Sequence, residues 1–226
     1  MDRYARNREL ISENDQAVLQ NTAAAVIGLG GLGGHIAEQL ARLGFGKLLL
    51  FDSDAVEQNN LNRQMFATEK SLGMSKCEAA LNRLSKVNSS VEYVTHSVRI
   101  TEENGLDLLK DADIMLDAVD NIATRYALES LSERIGIPLI HGSIGGWWGQ
   151  VSTIFPGDRI ISRIYPHKDA VGAEANWGNP AFTPAIVASI QVAEALKVCL
   201  SQKGILRKKL LRIDLLEHEY FIIDIS

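Results

Sequence analysis

Hydrophobic and polar positions change period several times along the chain. Residues 8 to 20 are mostly polar and predict a leading helix, after which "AAAVIGLG" is a short buried strand running into a glycine turn. In "GLGGHIAEQLARLG" the residues Leu32, Ile36 and Leu40 recur every four positions, the spacing of a helical face laid on a sheet. Gly44 and Gly46 end that helix, and "KLLLFDSD" gives a second apolar strand with an acidic end. Strand, turn, helix and strand make a βαβ unit.

Lys76 to Val87 predicts a second helix with Cys77, Ala80, Leu81, Leu84 and Val87 on its buried face, followed by a strand at "VEYVTH". Strands at "DIMLDAV" and "PLIHGS", with the helix "NIATRYALESLSERIG" between them, continue the alternation. The expected fold class is α/β: a doubly wound, Rossmann-like, mainly parallel sheet. "GQVSTIFPG" then reads as an extended strand, and 157 to 184, rich in Gly, Pro, Asn and Asp, as a long mobile loop. A helix from about Pro184 to Gln202 follows, and "LLRIDLLEHEYFIIDI" predicts two antiparallel strands around a turn at Glu217 and His218. The expected organisation is one domain with a helical segment at 1–20, a nucleotide-binding part at 21–145 and a C-terminal sheet, loop and helix at 146–226.

Composition narrows the partners. The 226 residues are 46% hydrophobic, enough for a substantial single core. A formal net charge of −5 leaves no basic footprint for nucleic acid, and "RKK" at 207 to 209 is too short to change that. No signal pattern and no unbroken apolar run long enough for a bilayer is apparent, so a soluble, cytoplasmic protein with no membrane partner is expected. Cys77 and Cys199 are the two cysteines; they form no CxxC pair and no disulfide framework. Both sit on apolar helix faces, Cys199 alongside Ala185, Ala188 and Val192, and read as packing residues.

A glycine turn with an acidic residue on the next strand is shared by many nucleotide-binding proteins, in any of which Asp52 would accept the ribose hydroxyls. The continuation is more telling. "DSDAVEQNNLNRQ" runs into Asn60, Arg63 and Gln64, and "GMSK" brings Lys76. Arg63 and Lys76 suit the charge that develops as pyrophosphate leaves, a need no dehydrogenase has. "LDAVDN" ends an apolar strand with Asp117 and Asp120, and Asp120 falls at the carboxyl edge where such sheets bind ligands, a position for a Mg²⁺ ligand. Asp54 either meets the ligand or caps a neighbouring helix, and Asp117 either braces the strand end or joins the site. Trp147 and Trp148, after "GSIGG", read as core or interface plugs.

The set "RYARN", "GLGGLG", "DSDAVEQNNLNRQ", "GMSK" and "DAVDN" resembles the ThiF/MoeB/HesA family, bacterial relatives of ubiquitin-activating enzymes, over nearly the whole chain. The resemblance implies ATP- and Mg²⁺-dependent adenylation of the C-terminal carboxylate of a small ubiquitin-like sulfur carrier ending in Gly-Gly. It implies that Gly28, Gly30, Gly31 and Gly33 line the nucleotide pocket and that Asp52, with Asp54 nearby, holds the ribose. It further assigns the phosphates to Asn60, Arg63 and Lys76, a place in the nucleotide site to Gln64, and Mg²⁺ to Asp120. Arg6, in "RYARN", matches the arginine that reaches into the partner's site across a homodimer.

The chain departs from the family pattern in its thiols. Many relatives carry two CxxC pairs for a structural zinc, and two isolated cysteines cannot supply four ligands, so no zinc is expected. "SRIYPHKD", where the first pair would fall, and "GAEANWGNPAFTP", where a thioester- or disulfide-forming cysteine would sit, contain no thiol, which argues against covalent transfer through this chain. Alternatives are adenylation of another peptide or small carboxylate, an NAD-binding oxidoreductase, and a binding module without turnover.

Overall fold

The computed structural model describes residues 3–168 and 177–226. Eight strands form one sheet: β1 Ala23–Ile27, β2 Lys47–Phe51, β3 Glu92–His96, β4 Ile114–Asp117, β5 Leu139–Gly145, β6 Trp148–Ile154, β7 Lys209–Asp214 and β8 Glu219–Asp224. Their spatial order is β3-β2-β1-β4-β5-β6-β7-β8. The pairs among β3, β2, β1, β4 and β5 are parallel, and β6, β7 and β8 are added antiparallel. The doubly wound sheet with its antiparallel extension is as the sequence predicts.

Seven α-helices are described: α1 Glu13–Gln20, α2 Gly31–Leu43, α3 Lys76–Val87, α4 Glu102–Leu109, α5 Ile122–Ile135, α6 Ile161–Ile164 and α7 Phe182–Cys199. The central strands are continuously apolar because both their faces are covered. In β1, Ala24 and Val26 enter one core with Ile36, Leu40, Leu84 and Val187; Ala25 and Ile27 enter the other with Leu109, Leu128 and Leu131. β2 repeats the split, Leu48 and Leu50 against Leu49 and Phe51. Helices α2, α3 and α7 therefore cover one face and α4, α5 and α6 the other.

Four sequence expectations are corrected. The leading helix begins at Glu13 rather than residue 8, because Ser12 and Asp15 form a reciprocal capping box there. Helix α4 was not anticipated; its eight residues, started by a Thr101–Asn104 capping box, are too short to show a clear period. Within 157–184 the backbone forms α6 and the start of α7, while residues 169–176 of that predicted loop lie outside the described residues. Leu81 is 38% exposed rather than on the buried face of α3.

Helix α7 is long and apolar enough by length and composition to cross a membrane, contrary to the expectation that no segment would be. It packs on α2, β5 and β6, with Gln191 and Glu194 fully buried in its middle. Glu194 accepts from Thr153 Oγ1 at 2.6 Å and from the Leu206 backbone at 2.7 Å, the satisfied polar contacts of a core helix.

Candidate nucleotide site

The chain runs from β1 outward to β2 and β3, then returns across β1 to β4. The sheet order therefore reverses between β1 and β4, and the carboxyl ends of those strands open into a crevice. An open cavity lies there.

The glycine turn forms its floor. Gly28 follows β1 with φ of 95°, and a Cβ on it would meet the Ala118 carbonyl oxygen at 2.6 Å. A Cβ on Gly33 would fall 1.8 Å from the Gly28 carbonyl oxygen. Both glycines let α2 close onto the ends of β1 and β4, and α2 starts at Gly31 with no side-chain cap. Its first-turn amides are thus free to receive an anion.

Gly28, Gly30 and Gly31 line the cavity, as do Asp52, Asp54, Arg63, Gln64, Lys76 and Asp120. Asp52 Oδ2 accepts the Leu29 backbone N–H at 2.7 Å and its Oδ1 accepts that of Asp54 at 2.9 Å, tying the end of β2 to the glycine turn. Lys76, at the start of α3, is buried with its Nζ 2.9 Å from Asp54 Oδ2 and 3.6 Å from Asp52 Oδ1. The hydrogen bond from Lys76 holds the Asp54 carboxyl below its ordinary range. Arg63 Nη1 is braced by the Asn59 carbonyl at 2.9 Å and Asn62 Oδ1 at 2.8 Å, with its Cδ over Gly31. Gln64 is buried over Gly30, and its Oε1 has no hydrogen-bond partner among the described residues. Such an orphaned acceptor beside a cavity is a cost that an occupant can offset.

Asp120 differs from the other two carboxylates. It is exposed on the cavity wall, its Oδ1 accepts from Asn121 Nδ2 at 3.4 Å, and it makes no ion pair among the described residues. No group of three or more His, Cys, Asp or Glu with metal-ligand geometry occurs among the described residues. A divalent ion here would be held by one carboxylate together with ligand phosphate oxygens and water, the coordination Mg²⁺ favours.

Three predicted residues lie off the wall. Gly33 acts in packing. Asn60 is buried, its Oδ1 accepting the Glu57 N–H at 3.1 Å and its Nδ2 donating to Asn59 Oδ1 at 2.6 Å. Its carbonyl accepts the N–H groups of Arg63 at 3.1 Å and Gln64 at 3.0 Å, so it shapes the turn that presents them. Arg6 is exposed on the 3₁₀ turn Ala5–Asn7 and does not line its own chain's cavity.

Reading the sequence missed Ser53, Val98, Arg99, Ile100, Asn121, Thr124, Ile144 and Asn179, all on the wall. Most follow the carboxyl ends of β2, β3 or β4, and a survey of those positions would have found them. Asp117 is wholly buried behind the wall and is a brace. Trp147 is 45% exposed and packs on Phe182, while Trp148 lies under Arg212 at 5.3 Å. Neither cysteine lines the cavity: Cys77 is buried at the β2 end, and burial pushes the Cys199 thiol up to about 12.

Fold and crevice together define an α/β nucleotide-binding protein of the switch-point type. The ThiF family model matches residues 4–226, and the chain belongs to that family. It is 35% identical over 218 residues to the adenylyltransferase and sulfurtransferase MOCS3 of Aedes aegypti, covering 94% of this chain and 50% of the relative. The chain thus spans about half the length of the MOCS3 relatives it matches. It is 34% identical to a sulfur carrier protein adenylyltransferase of Thermus thermophilus, covering 97% of this chain and 85% of that protein. A SAMP-activating enzyme E1 of Haloferax volcanii is 31% identical, over 96% of this chain and 82% of the relative. Among solved structures, E. coli MccB with ATP superposes with a TM-score of 0.84 at 22% identity, covering 100% of this chain and 71% of that one, a likeness of fold.

Proposed function

We propose that this protein adenylates the C-terminal carboxylate of a small ubiquitin-like sulfur carrier ending in Gly-Gly, using ATP and Mg²⁺. The observation that carries the reading is the assembly on one crevice of an uncapped helix N-terminus, two cations and an unpaired carboxylate. The names of the relatives support the carrier as substrate.

A carboxylate oxygen attacks the α-phosphorus, the bond to the bridging oxygen breaks, and pyrophosphate leaves with the electron pair. The α2 amides and the Gln64 Nε2 amide donate to phosphate oxygens, and Arg63 and Lys76 offset the charge accumulating on pyrophosphate. Asp52 and Asp54 lie at the end of β2, the ribose side in folds of this type. Mg²⁺ held by Asp120 would supply charge neutralisation on the phosphates. Catalysis is then positioning and electrostatics without a protein nucleophile, in keeping with the absence of both thiols from the wall.

The exposure of Arg6 away from its own cavity supports a homodimer in which each Arg6 serves the partner's site. The count of two isolated cysteines supports a zinc-free protein, and dependence on ATP supports a cytoplasmic location.

The test is to incubate the protein with Mg²⁺, ATP and a purified carrier ending in Gly-Gly and to weigh the carrier. Gain of one adenylyl group that requires the free C-terminal carboxylate is the expected result. An unmodified carrier, together with protection of the protein by a nicotinamide dinucleotide and not by ATP, favours the oxidoreductase alternative.

A further inference from the structure

Behind Asp120 lies a buried polar cluster that the adenylation reading does not use. Asp117 Oδ1 accepts the backbone N–H of Val119 at 3.0 Å, and Arg125 Nη2 donates to the Val119 carbonyl at 2.8 Å. Arg125 Nε and Asp117 Oδ2 are 3.5 Å apart, and neither side chain is more than 1% exposed. Both main-chain polar groups of the residue immediately before Asp120 are therefore held by one buried ion pair.

The clamp is itself braced. His141 Nδ1 lies 2.7 Å from Asp117 Oδ2, and Gln191 Nε2 donates to the Asp117 carbonyl at 2.8 Å. Tyr165, just after α6, places its hydroxyl 3.3 Å from His141 Nε2 and its ring 5.1 Å below the Arg125 guanidinium. That hydroxyl donates to Ser143 Oγ at 2.9 Å and accepts from Gln150 Nε2 at 2.8 Å. Buried ion pairs of this kind return little net stability over apolar packing of the same volume. What the cluster provides is geometry, and the point on which it converges is the Val119 peptide.

We propose that Asp117 and Arg125 are positioning residues that clamp the Val119 peptide and so fix the Asp120 carboxylate for a nucleotide-bound divalent ion, with Tyr165 bracing the clamp from the segment after α6. The proposal rests on the assignment of Asp120 in the adenylation reading. It separates metal binding from nucleotide binding: among the described residues no hydrogen bond or ion pair joins Arg63 or Gln64 to Asp117 or Arg125, whereas Asp120 is covalently next to the clamp.

The experiment measures Mn²⁺ binding by electron paramagnetic resonance in the presence of ATP, and ATP binding in the absence of metal, by the full chain. Arg125→Lys keeps the charge and loses the planar fork needed to meet Val119 and Asp117 together. It is expected to weaken Mn²⁺ binding about tenfold, as Asp120→Asn does, with metal-free ATP binding unchanged. Tyr165→Phe keeps the ring and loses the hydroxyl; it is expected to weaken Mn²⁺ binding by a smaller factor, about threefold. If Arg125→Lys does not fold, the Tyr165→Phe result decides. Wild-type Mn²⁺ affinity in the folded variants overturns the proposal. So does an equal loss of metal-free ATP binding, which would mark a general structural role. Wild-type protein that binds ATP neither with nor without metal overturns the adenylation reading itself, and this proposal with it.

Discussion

The Leu29 backbone N–H donates to Asp52 Oδ2 at 2.7 Å, so the acidic end of β2 is part of the glycine turn as well as part of the cavity wall. The same carboxylate accepts from the Asp54 N–H and lies within 3.6 Å of Lys76 Nζ.

Asp52→Ala strands two backbone donors and removes one of the two carboxylates facing Lys76. The expected cost is about 1–3 kcal/mol in urea unfolding, from buried groups left without partners, together with weakened ATP binding. Asp52→Asn, which keeps an acceptor for Leu29, should fall between Ala and wild type. Equal stability of Ala and wild type would mean that the turn holds itself.

A second prediction concerns acid. Glu38 on α2 is buried and joins Arg83 on α3 and Arg42 on its own helix, and the hydrogen bond from Arg83 leads in holding its carboxyl below the ordinary 4.5. Its folded value is thus lower than its unfolded one. The stabilisation is fully present above about pH 4.5 and is lost as pH falls through the folded value. The stability gap between wild type and Glu38→Gln, from urea unfolding at several pH values, should be constant near neutrality and close below that range. A gap unchanged down to pH 3 would remove Glu38 from the acid response.

Much of this was legible in the sequence, and for identifiable reasons. β1, β2 and β4 carry unbroken apolar runs because both faces are buried, and the glycine turn is marked by positions where a Cβ has no room. Asp120 stood out because it falls just past β4, and Arg63, Gln64 and Lys76 because they follow in the segment that continues the acidic end of β2. Asn60 did not resolve the same way. An Asn near a site reads equally as ligand and as cap, and here its side chain is engaged by Glu57 and Asn59. The buried Arg125 was invisible because it sits in a helix whose pattern gives no reason to expect an arginine inside the core. Helix α4 and α6 were too short for periodicity to speak.

The third prediction concerns Arg6, whose own chain offers it no cavity contact. In the proposed homodimer, co-expression of Arg6→Ala with Asp120→Asn, each expected to be inactive alone, makes about half the dimers mixed. With trans geometry, a mixed dimer has one intact site and one doubly defective site, so activity should recover to about a quarter of wild type per total site. A mixture as inactive as its parents, with mixed dimers verified by differential tagging, would assign Arg6 to its own chain or to no site.

The central claim, that this crevice activates a carboxylate with ATP, is tested most directly by exchange of labelled pyrophosphate into ATP. Wild-type protein should catalyse exchange only when Mg²⁺ and a carrier with a free C-terminal carboxylate are both present. Asp120→Asn, at unchanged melting temperature, should lose about two orders of magnitude or more of that exchange. Wild-type exchange by the Asn variant would contradict the account of Asp120, and a wild-type protein that exchanges nothing with any Gly-Gly carrier would contradict the account of the site.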